Sequence, residues 1–327
     1  MPVGLLAAVV RAVVLLAAAS LVIFMAAAAL PGDAVEIRSG GRVDPAQLAD
    51  LRAEAGLDRP LPQRYLDWVG GLGRGDLGES LVTGRPVADV VAERLPVSGV
   101  LLLASLVLAV PLAAGAAWLA AEGPGVLRPV VTAATAATAA VPQVVVAVLL
   151  TVLLAGVLGL VPTVSLLPVG TSPWARPDLL VLPVLTLALP SAAFAAGLLR
   201  GAWEDVTARP FVRDAVVRGV PAATVALRYV LPGVAPTALR VLAVVTGGLV
   251  AGTALAEVIF GMAGLGELLV SAVGARDAPV VQAVALLGAA VVVAGMLAAD
   301  LLAAAVSPGA VPGPRRAAGE RTVGDPR

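Results

Sequence analysis

Six stretches of this 327-residue chain are long and apolar enough to be helices that cross a bilayer. Such a helix needs roughly 20 mostly apolar residues, because backbone groups in lipid have no water to bond and must satisfy one another. The windows lie at about 5–30, 98–120, 130–160, 179–199, 234–256 and 280–306. Apolar residues make up 59% of the chain, charged residues 13%, and mean hydropathy is +0.98. Soluble domains do not reach such values, so the expected fold class is an all-α polytopic membrane protein with six transmembrane helices. The first window has a signal-like look, with Arg11 ahead of an apolar run that ends in AAAAL. The run from Ala12 to Leu30 is longer than a signal's apolar core of about 7 to 15 residues, so a true first span is expected.

Residue types narrow the chemistry. The chain has no Cys and no His, and all 22 of its basic residues are arginine. Disulfides, thiol and amine nucleophiles, imidazole bases and the usual zinc ligands are thereby excluded. A GxxxxGK[ST] phosphate loop is equally impossible, so any ATP must be bound by another chain. An enzyme built here needs paired carboxylates within the membrane, and only Asp300 is well placed. The chain is expected to be a non-enzyme, with no metal and no cofactor of its own. Formal charge is zero, which gives no reason to expect a nucleic-acid partner.

Charge along the chain suggests its orientation. Residues 31–97 hold eight Arg and eleven acidic residues among frequent Gly and Pro, and read as a small extramembrane domain. Residues 200–233 carry five Arg against three acids, and the tail after Pro308 four against two. Arginine-rich short segments stay on the cytoplasmic side, so both termini are expected inside, with 31–97, 161–178 and 257–279 outside. The expected division is a first span at 1–30, an extracytoplasmic domain at 31–97, a five-helix core at 98–308 and a cytoplasmic tail at 309–327. Thr132, Thr135 and Thr138 form a stripe among alanines that suits close helix packing or, less simply, a polar path. Pro142 is expected to kink that span. Asp300, in the last span, has Arg240, Arg128 or the interface as candidate partners.

The stretch RDAVVRGVPAATVALRYVLP at 213–232 interrupts two apolar runs with Arg213, Arg218, Arg228, Gly219, Pro221 and Pro232. Pro210 can open a helix over Phe211 to Arg218, and Gly219 then suits the left-handed residue that ends it. Pro221 is placed to start a second short helix running toward Leu231 and Pro232. Phe211, Ala215 and Val216 form the expected apolar face, with Arg213, Asp214, Val217 and Arg218 around the rest. From the residues alone, this element either docks into a partner's groove or lies on anionic lipid headgroups. Near the other end, Gly261, Gly264 and Gly266 break the chain between the fifth and sixth spans, consistent with a short re-entrant or interfacial helix lining a cavity. Asp277, just ahead of Pro279, is expected to cap the sixth span. Glu257 lies at the outer end of the fifth span.

The 213–232 stretch resembles the cytoplasmic signature of bacterial ABC importer permeases, E-A-A-x-x-x-G followed nine residues later by I-x-L-P. Arg213, Asp214 and Ala215 fall on the E-A-A positions, Gly219 on the glycine, and Tyr229, Leu231 and Pro232 on I-x-L-P. Further pieces are similar to the dipeptide, oligopeptide and nickel branch: LPGDA with Pro31, Gly32 and Asp33, then GLDRPLPQRYLDW, RGDLGES, RPV at 85–87 and RLP at 94–96. EVIFGMAGLGELLVSAVGARDAPVVQA places Glu257, Gly264, Gly266, Arg276 and Asp277 on that branch's pattern. Ala263, Tyr229, Arg218 and Ser307-Pro308 depart from it.

This resemblance implies the type I ABC importer permease fold, a B-type subunit and a polar domain after the first span. It implies a second, C-type permease, two ATP-binding subunits that hold ATP and Mg, and an extracytoplasmic substrate-binding protein. Phe211, Arg213, Asp214, Ala215, Arg218, Gly219, Leu231 and Pro232 would then couple the ATPases to the spans, and Glu257, Gly264, Gly266, Arg276 and Asp277 would belong to an outer gate or its framework. Peptides are the default substrate, although nickel, opines and glutathione-like molecules use similar permeases. An ion- or proton-coupled secondary carrier is the alternative. It would want ionisable groups near the bilayer midplane and inverted repeats, whereas the ionisable groups lie near span ends and no repeat is evident.

Overall fold

A computed structural model describes residues 2–29, 58–166 and 172–306. Its helices are α1 (Pro2–Ala28), α2 (Leu61–Leu72), α3 (Val87–Glu122), α4 (Leu127–Ala140), α5 (Gln143–Leu150), α6 (Val181–Thr207), α7 (Pro210–Val217), α8 (Ala222–Val225), α9 (Leu231–Phe260), α10 (Leu265–Ala275) and α11 (Ala278–Val306). The described residues hold no strand beyond the isolated bridge between Glu79 and Pro86. The LPGDA motif, most of the first half of the expected 31–97 domain and the 309–327 tail lie outside the described residues.

Five helical stretches are long and apolar enough to cross a membrane unaided: Leu5–Ala28, Val87–Glu122, Val181–Thr207, Ala222–Phe260 and Ala278–Ala305. The 130–160 window differs from the kinked span expected of it. It divides into α4 and a second helix, α5 continued by a π turn over Thr151–Val157, and the two meet at 106°. Pro142 supplies the reason. Its ring forces the preceding residue out of the helical region, and Val141 is extended at ψ 127. One extended residue redirects the chain, so the segment breaks instead of bending.

The second span also departs from its window. It begins at Val87, eleven residues before the apolar stretch, and at 36 residues is about 54 Å long, well over a hydrocarbon core of about 30 Å. Its first turns, carrying Asp89, Glu93 and Arg94, therefore project past the apolar layer.

Small residues set the core. Ala109, Ala113 and Ala117 recur every four residues on α3 and are buried, as are Ala188, Ala192, Ala195 and Ala196 on α6. Ridges of alanine let two helix backbones approach closely, which is how spans associate when lipid removes the hydrophobic driving force. Leu101, Leu182, Leu187, Leu249 and Phe260 fill the space between α3, α6 and α9. Gln143 Nε2 donates to the Gly252 carbonyl at 3.2 Å, tying α5 to the middle of α9. Thr132, Thr135 and Thr138 form the half-buried side of α4. The Thr132 and Thr135 hydroxyls donate to Arg128 and Val131 carbonyls of their own helix, and Arg200 also donates to Thr132 at 3.0 Å. The stripe is thus a packing surface toward α6, not an open polar lane.

Asp300 pairs with neither Arg240 nor Arg128 but with Arg11. Helices α1 and α11 run antiparallel, so a residue near the start of one lies level with a residue near the end of the other. Sequence distance of 289 residues hides this neighbour. Aromatic side chains lie toward the two ends of the bundle: Tyr65, Trp68 and Trp174 toward the α10 end, and Trp118, Trp203 and Tyr229 toward the α7 end. Such belts sit at membrane interfaces.

An ionic link between two apolar spans is costly to break on one side only. Asp300→Asn is expected to destabilise the detergent-solubilised protein by about 1–3 kcal/mol, while Arg11→Leu combined with Asp300→Leu recovers most of the loss. Thermal unfolding of the three variants measures this, and additive losses would contradict the pairing.

Candidate functional site

Two junctions, at opposite ends of the bundle, gather the residues singled out by sequence. The first is built on α7. Arg209 is extended ahead of Pro210, which opens the helix, and Arg218 closes it. Gly219 then takes φ +76, its N–H donating to the Val216 carbonyl while the Val220 N–H donates to Ala215. This pair of bonds is the Schellman arrangement, which needs a left-handed residue where only glycine is unstrained.

The face of α7 that packs on the bundle shares only Ala215 with the expected apolar face. Val212 and Ala215 are buried against Val206, Val225, Val230 and Val234, whereas Phe211, Val216 and Val217 are exposed, Val217 at 85%. The receiving surface selects Val212 and Ala215. Arg213 and Asp214 are exposed, and Arg218 pairs with Asp214 at 3.0 Å one turn away. A groove of about 780 Å³ runs beside α7, lined among others by Trp118, Trp203, Arg213, Val216, Val217 and Val220. The Trp203 indole nitrogen is buried there without a hydrogen-bond partner.

No second, separate short helix follows. Pro221 starts α8, and the chain continues through a π turn over Ala226–Val230 directly into α9, one helical stretch from Ala222 to Phe260. Pro232 has no N–H to donate and its ring crowds the carbonyl four residues back, so widening the preceding turn accommodates it without ending the helix. Leu231 and Pro232 are therefore exposed residues in the first turn of α9, rigidly connected to the span.

The second junction centres on Glu257, whose side chain is completely buried. Its carboxylate accepts from Ser98 Oγ at 2.5 Å, from the Gly266 N–H at 2.7 Å and from the Glu267 N–H at 3.0 Å. Ser98 Oγ in turn accepts from the Leu265 N–H at 2.7 Å. The first three N–H groups of α10, which have no partner inside the helix, are thus all satisfied by α9 and α3. A carboxylate there also meets the positive end of the α10 dipole. Glycine is required at both flanking positions: a Cβ on Gly264 would overlap the Glu257 carboxyl group, and one on Gly266 would overlap Ala254. Gly261 ends α9 in the left-handed region at φ +71.

The far end of α10 is fixed separately. Arg276 takes φ +56, a left-handed conformation unusual for a residue with a Cβ. Asp277 follows, but its carboxylate does not play the expected capping part. It accepts from Ser80 Oγ and from the Leu81 N–H, binding the loop that leads into α3. Arg94 on α3 completes the set, donating to Glu267 at 2.9 Å. So α10 is clamped at both ends to α3 and its approach loop, above an apolar cavity of about 370 Å³ lined by Leu95, Leu102, Val250, Leu265, Leu269 and Val292 among others. Sequence reading found the acids and glycines of this junction and missed Ser80, Ser98 and Arg94 as their partners. Ser98 lies two residues after the RLP motif, which itself contains Arg94, and that motif was the available signal.

Removing the Glu257 carboxylate leaves three buried donors unpaired. Glu257→Ala is expected to cost about 3 kcal/mol or more, and Glu257→Gln less, because its one carbonyl oxygen still accepts while its NH₂ opposes a donor. Thermal unfolding of the purified protein orders the two, and equal stability of all three would refute the capping role.

Comparison with known proteins agrees with this architecture. Residues 109–311 match the family described as binding-protein-dependent transport system inner membrane component, and residues 3–102 match the N-terminal region of such membrane components. The glutathione transport system permease protein GsiC of Escherichia coli K12 is 32% identical over 283 residues, covering 85% of this chain and 89% of that protein. The probable peptide ABC transporter permease protein y4tP of Sinorhizobium fredii is 27% identical over 311 residues, covering 94% and 99%. The chain belongs to the inner-membrane permease components of binding-protein-dependent transport systems, as a transport subunit and not an enzyme.

Proposed function

We propose that this permease imports peptides or peptide-like solutes and that α7 with its Gly219 turn is the element on which a partner ATPase pushes. One observation carries the reading. Helix α7 is anchored to the bundle by Val212 and Ala215 yet presents Phe211, Val216 and Val217 outward, beside a groove holding the unpartnered Trp203 N–H. An exposed apolar face on a rigidly seated short helix suits a protein groove better than water. Because α8 runs without a break into α9, a push on α7 is delivered to a membrane-crossing helix rather than absorbed by a loop.

In this reading α7 faces the cytoplasm, both termini are cytoplasmic and residues 31–97 are extracytoplasmic. Two ATP-binding subunits hold ATP and Mg, a C-type permease completes the pore, and an extracytoplasmic binding protein delivers the substrate. The likeness to peptide and glutathione permeases supports the substrate class. ATP binding favours one of two arrangements of the spans, and it does so only through a difference in affinity between them. The α10 junction, clamped by Glu257 and Asp277, forms part of the framework of the outer gate.

Gly219→Val tests the coupling. A β-branched residue at φ +76 is strained, so the turn shifts and ATP hydrolysis continues without uptake. Uptake in membrane vesicles, measured alongside ATPase activity and membrane protein level, reads the outcome, and normal uptake at normal level would refute the proposed turn. Likewise Val217→Asp is expected to release the ATPase during purification, because it places a charge on the exposed apolar face without disturbing Val212 or Ala215. Full retention would mean that the ATPase docks elsewhere.

A further inference from the structure

We propose that α2 is a membrane-surface helix whose outer apolar edge lies in the boundary between lipid headgroups and acyl chains, so that part of the polar segment after the first span is not free in water. Helix α2 is held against α1 by its aromatic residues. Phe24 on α1 is 3% exposed and meets the Tyr65 ring edge-on at 5.3 Å and the Trp68 ring at 5.8 Å. The Tyr65 hydroxyl lies 2.9 Å from Ser20 Oγ. Ser20 is eight residues before Ala28, or about 12 Å down the helix from its end. An α2 side chain therefore reaches below the rim of a span that is apolar from Leu21 to Ala28, and α2 sits level with the last turns of α1.

The pattern of α2 fits that depth. Seen down its axis, Leu61, Tyr65, Trp68, Leu72, Val69 and Leu66 occupy one continuous arc, while Gln63, Arg64 and Asp67 occupy the other side. The Tyr65 and Trp68 side of the arc packs on Phe24. The remainder is uncovered by protein among the described residues: Leu66 is 67% exposed, Leu61 41% and Val69 38%. Tyr and Trp with one end apolar and one end polar favour this boundary, and a helix with a wide apolar face lies in its plane. A bilayer is already required at that level by α1, so lipid covers the exposed edge without invoking another protein.

The natural chain contains no cysteine, so single nitroxide labels can be placed directly. Leu66→Cys and Gln63→Cys, each labelled in the full chain reconstituted into phosphatidylcholine vesicles, report local access to oxygen and to a water-soluble nickel chelate. The label at 66 is expected to show an oxygen-to-nickel accessibility ratio several-fold above that at 63. A ratio at 66 equal to or below that at 63 places the edge in water, and a label at 66 shielded from both reagents means that protein covers it. Either result overturns the proposal. A chain whose only tryptophan is Trp68, with Trp118, Trp174 and Trp203 replaced by Phe, gives a second reading: brominated phosphatidylcholine should quench its emission, and unchanged emission would count against the helix lying at the boundary. The outcome is independent of the coupling role assigned to α7.

Discussion

The carboxylate of Glu257 is where three helices agree on their positions. A helix whose start is buried in protein has N–H groups that water cannot reach, and α10 starts in that setting. Glu257 from α9 and Ser98 from α3 supply the acceptors together. Because the same groups that satisfy α10 belong to two spans, α10 cannot shift relative to either without leaving donors unpaired. Glycines at 264 and 266 are consequences of this closeness, since a side chain at either position would occupy the space of the carboxylate or of α9.

The rest of the bundle is held by weaker but repeated means. Alanine ridges on α3 and α6 allow close approach, and the contact energy is spread over many small surfaces. Helix α1 touches this core little and is fastened at its two ends by different chemistry, Arg11 with Asp300 at one and Phe24 with Tyr65 and Trp68 at the other. Such a division leaves the α3, α6 and α9 core as the unit that must move or resist, with α7 attached to it through α9.

Features that depend on neighbours in sequence were legible in it. Hydropathy over about 20 residues identified the apolar crossings. Gly219 and Pro210 marked the α7 helix and its left-handed end, since backbone freedom is a property of single residues. Features that depend on what arrives from elsewhere were not legible. The apolar face of α7 was assigned to Phe211, Ala215 and Val216, and the structure buries Ala215 with Val212, because Val206, Val225, Val230 and Val234 come to meet them, while Phe211 and Val216 stay outward. Asp277 looked like a cap, but Ser80 and Leu81 reach its carboxylate first. Pro142 was expected to bend a helix, and a single extended Val141 instead turned the chain through 106°.

By itself the sequence determined that the chain is a helical membrane protein, roughly where it crosses, where it turns sharply, and that it carries none of the side chains for thiol, imidazole or amine chemistry. It also held the motifs that mark its transport family. Only the tertiary structure decided that Arg11 answers Asp300, that Ser98 and Glu257 share the start of α10, and which side of α7 remains outward. The physical reason is that turn geometry and hydropathy are local sums, whereas a buried charge or an unpaired N–H is satisfied by whichever group the fold carries to it from tens or hundreds of residues away.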